Sequence, residues 1–148
     1  MKSEIATSPE VIPNGTVWAN NIEGTGYDVV LLGQSDPLRI DVASLANRFA
    51  KPDYQAVAAS LVEDGFQSPL ELFSTYTSQM GDMRPWLNDA PINRDRNLRL
   101  QYLAGTGLNT YEGVRIYEEI ARSRTFPESL FVADAAWKDL LRVRLGAR

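Results

Sequence analysis

Gly15-Thr16-Val17-Trp18 and Tyr27-Asp28-Val29-Val30-Leu31-Leu32-Gly33, joined through Asn20-Asn21-Ile22-Glu23-Gly24-Thr25-Gly26, form the stretch on which the fold turns. Two β-prone runs flank a connection containing Asn and Gly, residues that tolerate positive φ, so the stretch predicts a hairpin. The second run is aliphatic at four successive positions, as a strand covered on both faces would be. A two-stranded ribbon alone is not stable in water. The hairpin therefore belongs to a larger α/β sheet, and the rest of the chain must be read for what completes it.

Downstream, Asp41 is placed to cap a helix over Val42 to Phe49, with Val42, Leu45, Ala46 and Phe49 on one face. Pro52 interrupts the pattern, and Asp53 is placed to cap a second helix carrying Ala56, Ala59 and Val62 that closes at Gly65. Ser68-Pro69-Leu70-Glu71 has the layout of a capping box with proline at the first helical position. Leu70, Phe73 and Tyr76 would supply the apolar stripe of that third helix. A short turn or helix carries Met83, Trp86 and Leu87, and a polar loop spans Pro91 to Asn97. Leu98-Arg99-Leu100-Gln101-Tyr102-Leu103 alternates with period two, which predicts a half-buried strand. Two helices follow, one behind Asn109 with Val114, Tyr117 and Ala121 on its face, the other behind Asp134 with Trp137, Leu140, Leu141 and Leu145.

The 148 residues provide for one compact domain, and 44% apolar with 23% charged residues is a globular composition. The chain has no histidine and no cysteine. Ser-His-Asp and Cys-His nucleophile systems, thiolate metal sites and disulfides are thereby excluded within it. A net charge of −4 argues against a nucleic-acid binder, whose footprint is basic. Residues 1–80 hold 4 basic and 10 acidic side chains, residues 81–148 hold 11 and 9. The carboxylates interleaved with the later arginines make that half a solvated face. The longest aliphatic run, Val29 to Leu32, is far below the ~20 residues of a membrane span, and the N-terminus lacks a signal-peptide layout, so a soluble, cytoplasmic chain is expected.

Candidate sites are few. Gly24-Thr25-Gly26 and Gly105-Thr106-Gly107 do not continue to a phosphate-binding GxGxxG and read as turns. Met80, Met83 and Trp86 could line a pocket, but their near-helical spacing reads as core. Arg142, Arg144 and Arg148 could meet an acidic partner, or simply complement the dipole of the last helix. Asn93-Arg94-Asp95-Arg96-Asn97 could hold a charged ligand, or satisfy loop backbone through Asx-turns. No carboxylate pair has a spacing that marks an acid/base couple, which leaves a small enzyme working through carboxylates alone without a recognisable site.

Ile12-Pro13-Asn14-Gly15-Thr16-Val17-Trp18 followed by Tyr27 to Gln34 resembles the late hairpin of the spermidine synthase family, the polyamine aminopropyltransferases. Leu87-Asn88-Asp89-Ala90-Pro91-Ile92-Asn93-Arg94-Asp95 resembles the passage before the last strand in bacterial members, some of which are fused to a membrane transporter-like half. Lys2 to Thr7 looks like the cut-short end of the helix before that hairpin, so a longer chain upstream is expected. The resemblance runs over about residues 2–104. It implies an α/β fold, in part: the β-hairpin and last strand of a methyltransferase-like sheet with several helices over residues 1–107, and a helical extension over 108–148. It further implies polyamine biosynthesis, in which an amine attacks the carbon beside a sulfonium and a carboxylate positions the amine.

The family's Gly-rich donor loop and catalytic Asp have no counterpart in this chain. Neither do the Tyr-Pro and Trp residues of the hairpin, where Asn20 to Gly26 stand instead. The resemblance thus implies a substrate-side segment, inactive alone, with no catalytic residue and no cofactor of its own. Trp18, Asn93 and Asp95 are its candidate substrate-binding residues: Asp95 could hold an amine, and Asn93 could do so or pin the loop. The expected partner is an N-terminal synthase-like half or a second copy, with a polyamine bound only once the site is complete. The alternative is a non-enzymatic interaction module or homo-oligomer that uses an exposed hairpin edge.

Overall fold

The hairpin forms, with arms that run further than expected: residues 20–22 and 25–26, read as connection, belong to the strands. In the computed structural model, which describes residues 1–22, 25–98, 100–102 and 112–146, β1 (Asn14–Ile22) and β2 (Thr25–Gln34) pair antiparallel, Val17 opposite Leu31 and Trp18 opposite Val30. The register slips between Asn20 and Asn21, where Tyr27 is the extra residue on β2, a bulge that confines regular pairing to Asp28–Gln34. The missing partner strand comes from the chain itself. β4 (Tyr76–Gln79) completes a three-stranded sheet in the order β2-β1-β4, so β1 is central and β2 lies at the end.

Tyr76 thus opens a strand instead of continuing the third helix. That helix, α4 (Pro69–Phe73), stops short of it, and the Ser74 and Thr75 hydroxyls donate back to the carbonyls of Glu71 and Leu72. Of the strand expected at 98–103, residues 99 and 103 lie outside the described residues and none of the others is strand. Residues 100–102 are helical, and Leu98 takes a left-handed backbone with φ of 43° that interrupts any extended run. The chain is mixed α/β with one three-stranded and one two-stranded sheet. The boundary expected at residue 107, Gly105-Thr106-Gly107 and the Asn109 cap lie outside the described residues.

Two compact units are built from interleaved segments. The first comprises Met1–Leu38 and Thr77–Thr125. On the inner face of its sheet, Val17 of β1 packs with Met80 and Met83, with Ile5 of α1 (Lys2–Thr7), and with Ile120 of the later helix Gly113–Ala121. Val29 and Leu31 of β2 lie against the same cluster. In that helix the buried face is Ile116 and Ile120, whereas Val114 is exposed. Gly15 and Gly33, opposite each other, allow a close approach that side chains would block: a Cβ on Gly15 would meet Met80 Sδ at 2.2 Å, and one on Gly33 would meet Ile12 Cγ2 at 2.3 Å.

The second unit comprises Arg39–Tyr76 and Phe126–Arg148. Here β3 (Ile40–Asp41) pairs parallel with β5 (Phe131–Val132), and Asp41 then caps α2 (Val42–Phe49) by accepting from Ser44 N–H at 2.8 Å. Pro52–Tyr54 form a 3-10 turn, so α3 (Gln55–Glu63) starts after Asp53 and has no side-chain cap. Gly65 takes the positive φ expected beyond the helix end. Ser68 caps α4 (Pro69–Phe73), while Glu71 accepts from Gln67 N–H at 2.6 Å. The last helix, Ala135–Leu145, is capped by Asp134 and ends on left-handed Gly146. Its Trp137 joins Phe73 and Phe131 in an aromatic cluster with ring centroids 5.1–6.1 Å apart. Leu141 and Leu145 are buried and Leu140 faces solvent.

The close approach at Gly33 yields a prediction. Gly33→Ala places a methyl against Ile12 and 3.1 Å from the Gly15 Cα, and is expected to cost about 1–3 kcal/mol in urea unfolding. An unchanged midpoint would show that Ile12 moves aside freely.

Candidate functional site

Alternation along the hairpin sorts its side chains into two faces. Val17, Ala19, Val29 and Leu31 point to the core, whereas Thr16, Trp18 and Asn20 of β1 lie opposite Leu32, Val30 and Asp28 of β2 on the outer face. Trp18 donates its indole N–H to Thr16 Oγ1 at 2.8 Å, and Thr16 donates to the Leu32 carbonyl at 3.0 Å. This fixes the half-buried indole along the strand. Beside it Val30 and Leu32 remain 54% and 46% exposed. Among the described residues, no strand pairs with the far side of β2. An aromatic platform and two half-exposed aliphatics meet there, beside an edge on which Asp28 Oδ1 accepts from Val29 N–H at 2.8 Å.

Asn93 and Asp95 sit elsewhere, on the loop clamped to α1. Ser3 donates to the Pro91 carbonyl, Thr7 Oγ1 accepts from Asn93 N–H at 2.9 Å, and Arg94 pairs with Glu10 at 2.8 Å. Asn93 Oδ1 accepts from Leu100 N–H at 2.9 Å, so its side chain pins the loop. Asn97 closes the same turn through Arg94 N–H and the Ile92 carbonyl. Asp95 is exposed. These hydrogen bonds tie Asn93 to α1 and the loop, and tie Trp18 to its own strand.

Among the described residues, clefts open on each of the two units. One of about 250 Å³ is lined by Met1, Glu4, Ile5, Asp28, Val29 and Leu31, bringing two carboxylates to an aliphatic wall. A second, of about 300 Å³, lies among Pro9, Pro13, Met80, Leu87 and Ile92 with Arg84 beside them. Met80 and Met83 themselves are buried core residues. A third, in the second unit, is an apolar cleft of about 200 Å³ between α2, α3 and α4. Two of the late arginines are engaged internally, Arg142 with Glu128 and Asp139 and Arg144 with Glu71, and Arg148 lies outside the described residues. Among the described residues no three His, Cys, Asp or Glu side chains converge as a metal would require. No described helix is long and apolar enough to cross a membrane.

Near α1, charged groups form a connected chain. Lys2 pairs with Asp89 at 3.2 Å and lies 4.9 Å over the Trp86 ring, while Trp86 donates to Glu119 Oε2 at 3.0 Å and Arg115 engages the other oxygen. The indole hydrogen bond, with Arg115 adding to it, lowers the Glu119 pKa, and the Lys2 hydrogen bond lowers that of Asp89.

Compared with known proteins, the chain matches no family model, no curated sequence and no solved structure. Sequence reasoning named Trp18 but neither the outward pair Val30 and Leu32 nor the cleft that Glu4 and Asp28 both line. The signal for the pair was present, since alternate residues of any strand share a face. Glu4 and Asp28 come together only through packing of α1 on the sheet.

Two predictions follow from this chemistry. A carboxylate with a depressed folded pKa contributes stability that is complete above its unfolded pKa and lost as pH falls through the folded one. Glu119→Gln should therefore flatten the acid side of the stability–pH curve below about pH 4.5, read by urea titration at several pH values. The same slope in both proteins would sink the linkage. Leu98→Gly relieves a left-handed conformation and should raise stability by roughly 1 kcal/mol. A loss instead would mean that contacts of the half-exposed leucine outweigh its strain.

Proposed function

We propose that this chain is an association module that works by strand addition at the open edge of β2, with a partner strand covering Val30 and Leu32. One observation carries the reading: a terminal strand with no strand on its far side among the described residues and two outward aliphatics, Val30 and Leu32, about half exposed. Natural sheets usually blunt such edges with lysine, proline, inward charge, bulges or a covering element, and on β2 the bulge at Tyr27 lies at one end, before Asp28. Over Thr25–Gln34 the only charged residue is Asp28, and there is no proline.

A second reading is favoured by the cleft that joins Glu4 and Asp28 to Ile5, Val29 and Leu31. The Glu4 carboxylate beside an aliphatic wall suits a cationic alkylamine, with Asp28 lining the same cleft while its Oδ1 accepts from Val29 N–H at 2.8 Å. This agrees with a substrate-side segment of a spermidine synthase-like aminopropyltransferase, in which the strand beside β2 would come from the donor-binding half. In that assembly Trp18 and the loop of Asn93 and Asp95 are the remaining candidates for the substrate side. Titration calorimetry with putrescine tests it. Weak, salt-sensitive binding abolished by Glu4→Gln with Asp28→Asn is expected, and heats unaffected by that double change would dismiss it.

For strand addition, a photoreactive benzoylphenylalanine at position 30 should form an adduct in source cells, whereas the same group at exposed Val62 in α3 should not. Equal yields from the two positions would count against the edge.

A further inference from the structure

The outward residues of the regular part of β2 are Asp28, Val30, Leu32 and Gln34: polar, aliphatic, aliphatic, polar. That order reads the same from either end. An antiparallel copy of the strand, its outer face on the same side, is therefore complementary to it. Resting on the strand-addition reading, we infer that the partner of β2 is β2 of a second copy, paired about a two-fold axis at Leu31.

Register selects that axis. With Leu31 opposite itself, Val30 lies opposite the second copy's Leu32 and Asp28 opposite its Gln34, whose amide can donate to the carboxylate as that carboxylate gives up its own Val29 N–H, 2.8 Å away, to the partner strand. Centring on Val30 sets Asp28 against Leu32 and strands a carboxylate on an aliphatic. Centring on Leu32 sets Val30 against Gln34 and wastes the match. Pairing Asp28 with itself places like charges directly opposite, which is destabilising. The chosen register runs through Asp28–Gln34, clear of the bulge at Tyr27. It builds one six-stranded sheet, across whose outer face run two identical rows: Trp18, Val30, then Leu32 and Thr16 of the second copy, and the reverse. Each exposed aliphatic is flanked on both sides, and the contact is isologous and closed.

The chain contains no cysteine, so introduced thiols report the register without background. Opposed residues in antiparallel strands have Cα atoms about 4.5–5.5 Å apart, within disulfide range. Val30→Cys mixed with Leu32→Cys should form a mixed disulfide at least five-fold faster than either variant links with itself. Sedimentation equilibrium of the unmodified chain should show mass rising towards twice 16.5 kDa with concentration. Val30→Lys, at an exposed site where the fold tolerates it, should weaken the dimer at least ten-fold with an unchanged circular dichroism spectrum. Faster self-linking of either variant overturns the register. A chain monomeric at every concentration overturns the second copy. The position-30 adduct then separates the two claims: an adduct with a different protein leaves strand addition standing, and no adduct removes both.

Discussion

The register between β1 and β2 is the constraint on which the first unit depends. Because strand side chains alternate, a slip of one residue would exchange the two faces of an arm. It would send Val29 and Leu31 to solvent and press Val30 and Leu32 on the core. Three features hold the observed register. Gly15 and Gly33 meet where Met80 and Ile12 leave no room for a side chain. Thr16 donates across to the Leu32 carbonyl. The bulge at Tyr27 absorbs the extra residue near the connection, away from the packed end. Ile5, Met83 and Ile120 can then pack against one continuous aliphatic surface.

What was legible in the sequence was local. Asp41, Ser68 and Asp134 each accept from the backbone N–H three residues on, because capping is decided within one helical turn. The hairpin was legible for the same reason. The short strands were not. Ile40–Asp41 and Phe131–Val132 are two residues each and lie 90 residues apart, with too little pattern to read. β4 hid because Tyr76 continued the helical spacing of Leu70 and Phe73, while the Ser74 and Thr75 hydroxyls ended the helix by bonding back to its carbonyls. At Leu98–Leu103 a true period-two pattern misled. Asn93 and Asn97 fold the approach into a closed turn, and that turn forces Leu98 left-handed before the chain enters a helical turn.

The candidate site divides along the same line. Trp18 was singled out through the family resemblance, and what surrounds its indole is set by neighbours across the pair that the resemblance did not name. Asn93 had two open readings, and its hydrogen bonds to Thr7 and Leu100 give it a structural task whatever else it does. The cleft between Glu4 and Asp28 joins residues 24 positions apart through packing of α1 on the sheet. No spacing rule reaches that far.

Charge and apolar area act in opposite directions at the β2 edge. A chain of net charge −4 repels its copy, and that repulsion is screened over about 8 Å at physiological ionic strength. The edge is nearly neutral: Asp28 is its one charge, and the favoured register moves the two copies of Asp28 to opposite ends of the contact. The attraction comes from four half-exposed aliphatics and one backbone ladder, a small surface against the entropy lost on association. Affinity should therefore be modest and increase with salt, the reverse of an ion-pair interface. Trp18 adds to it through position, since flanking Val30 on the side away from the second copy leaves the covered aliphatics less room to rehydrate.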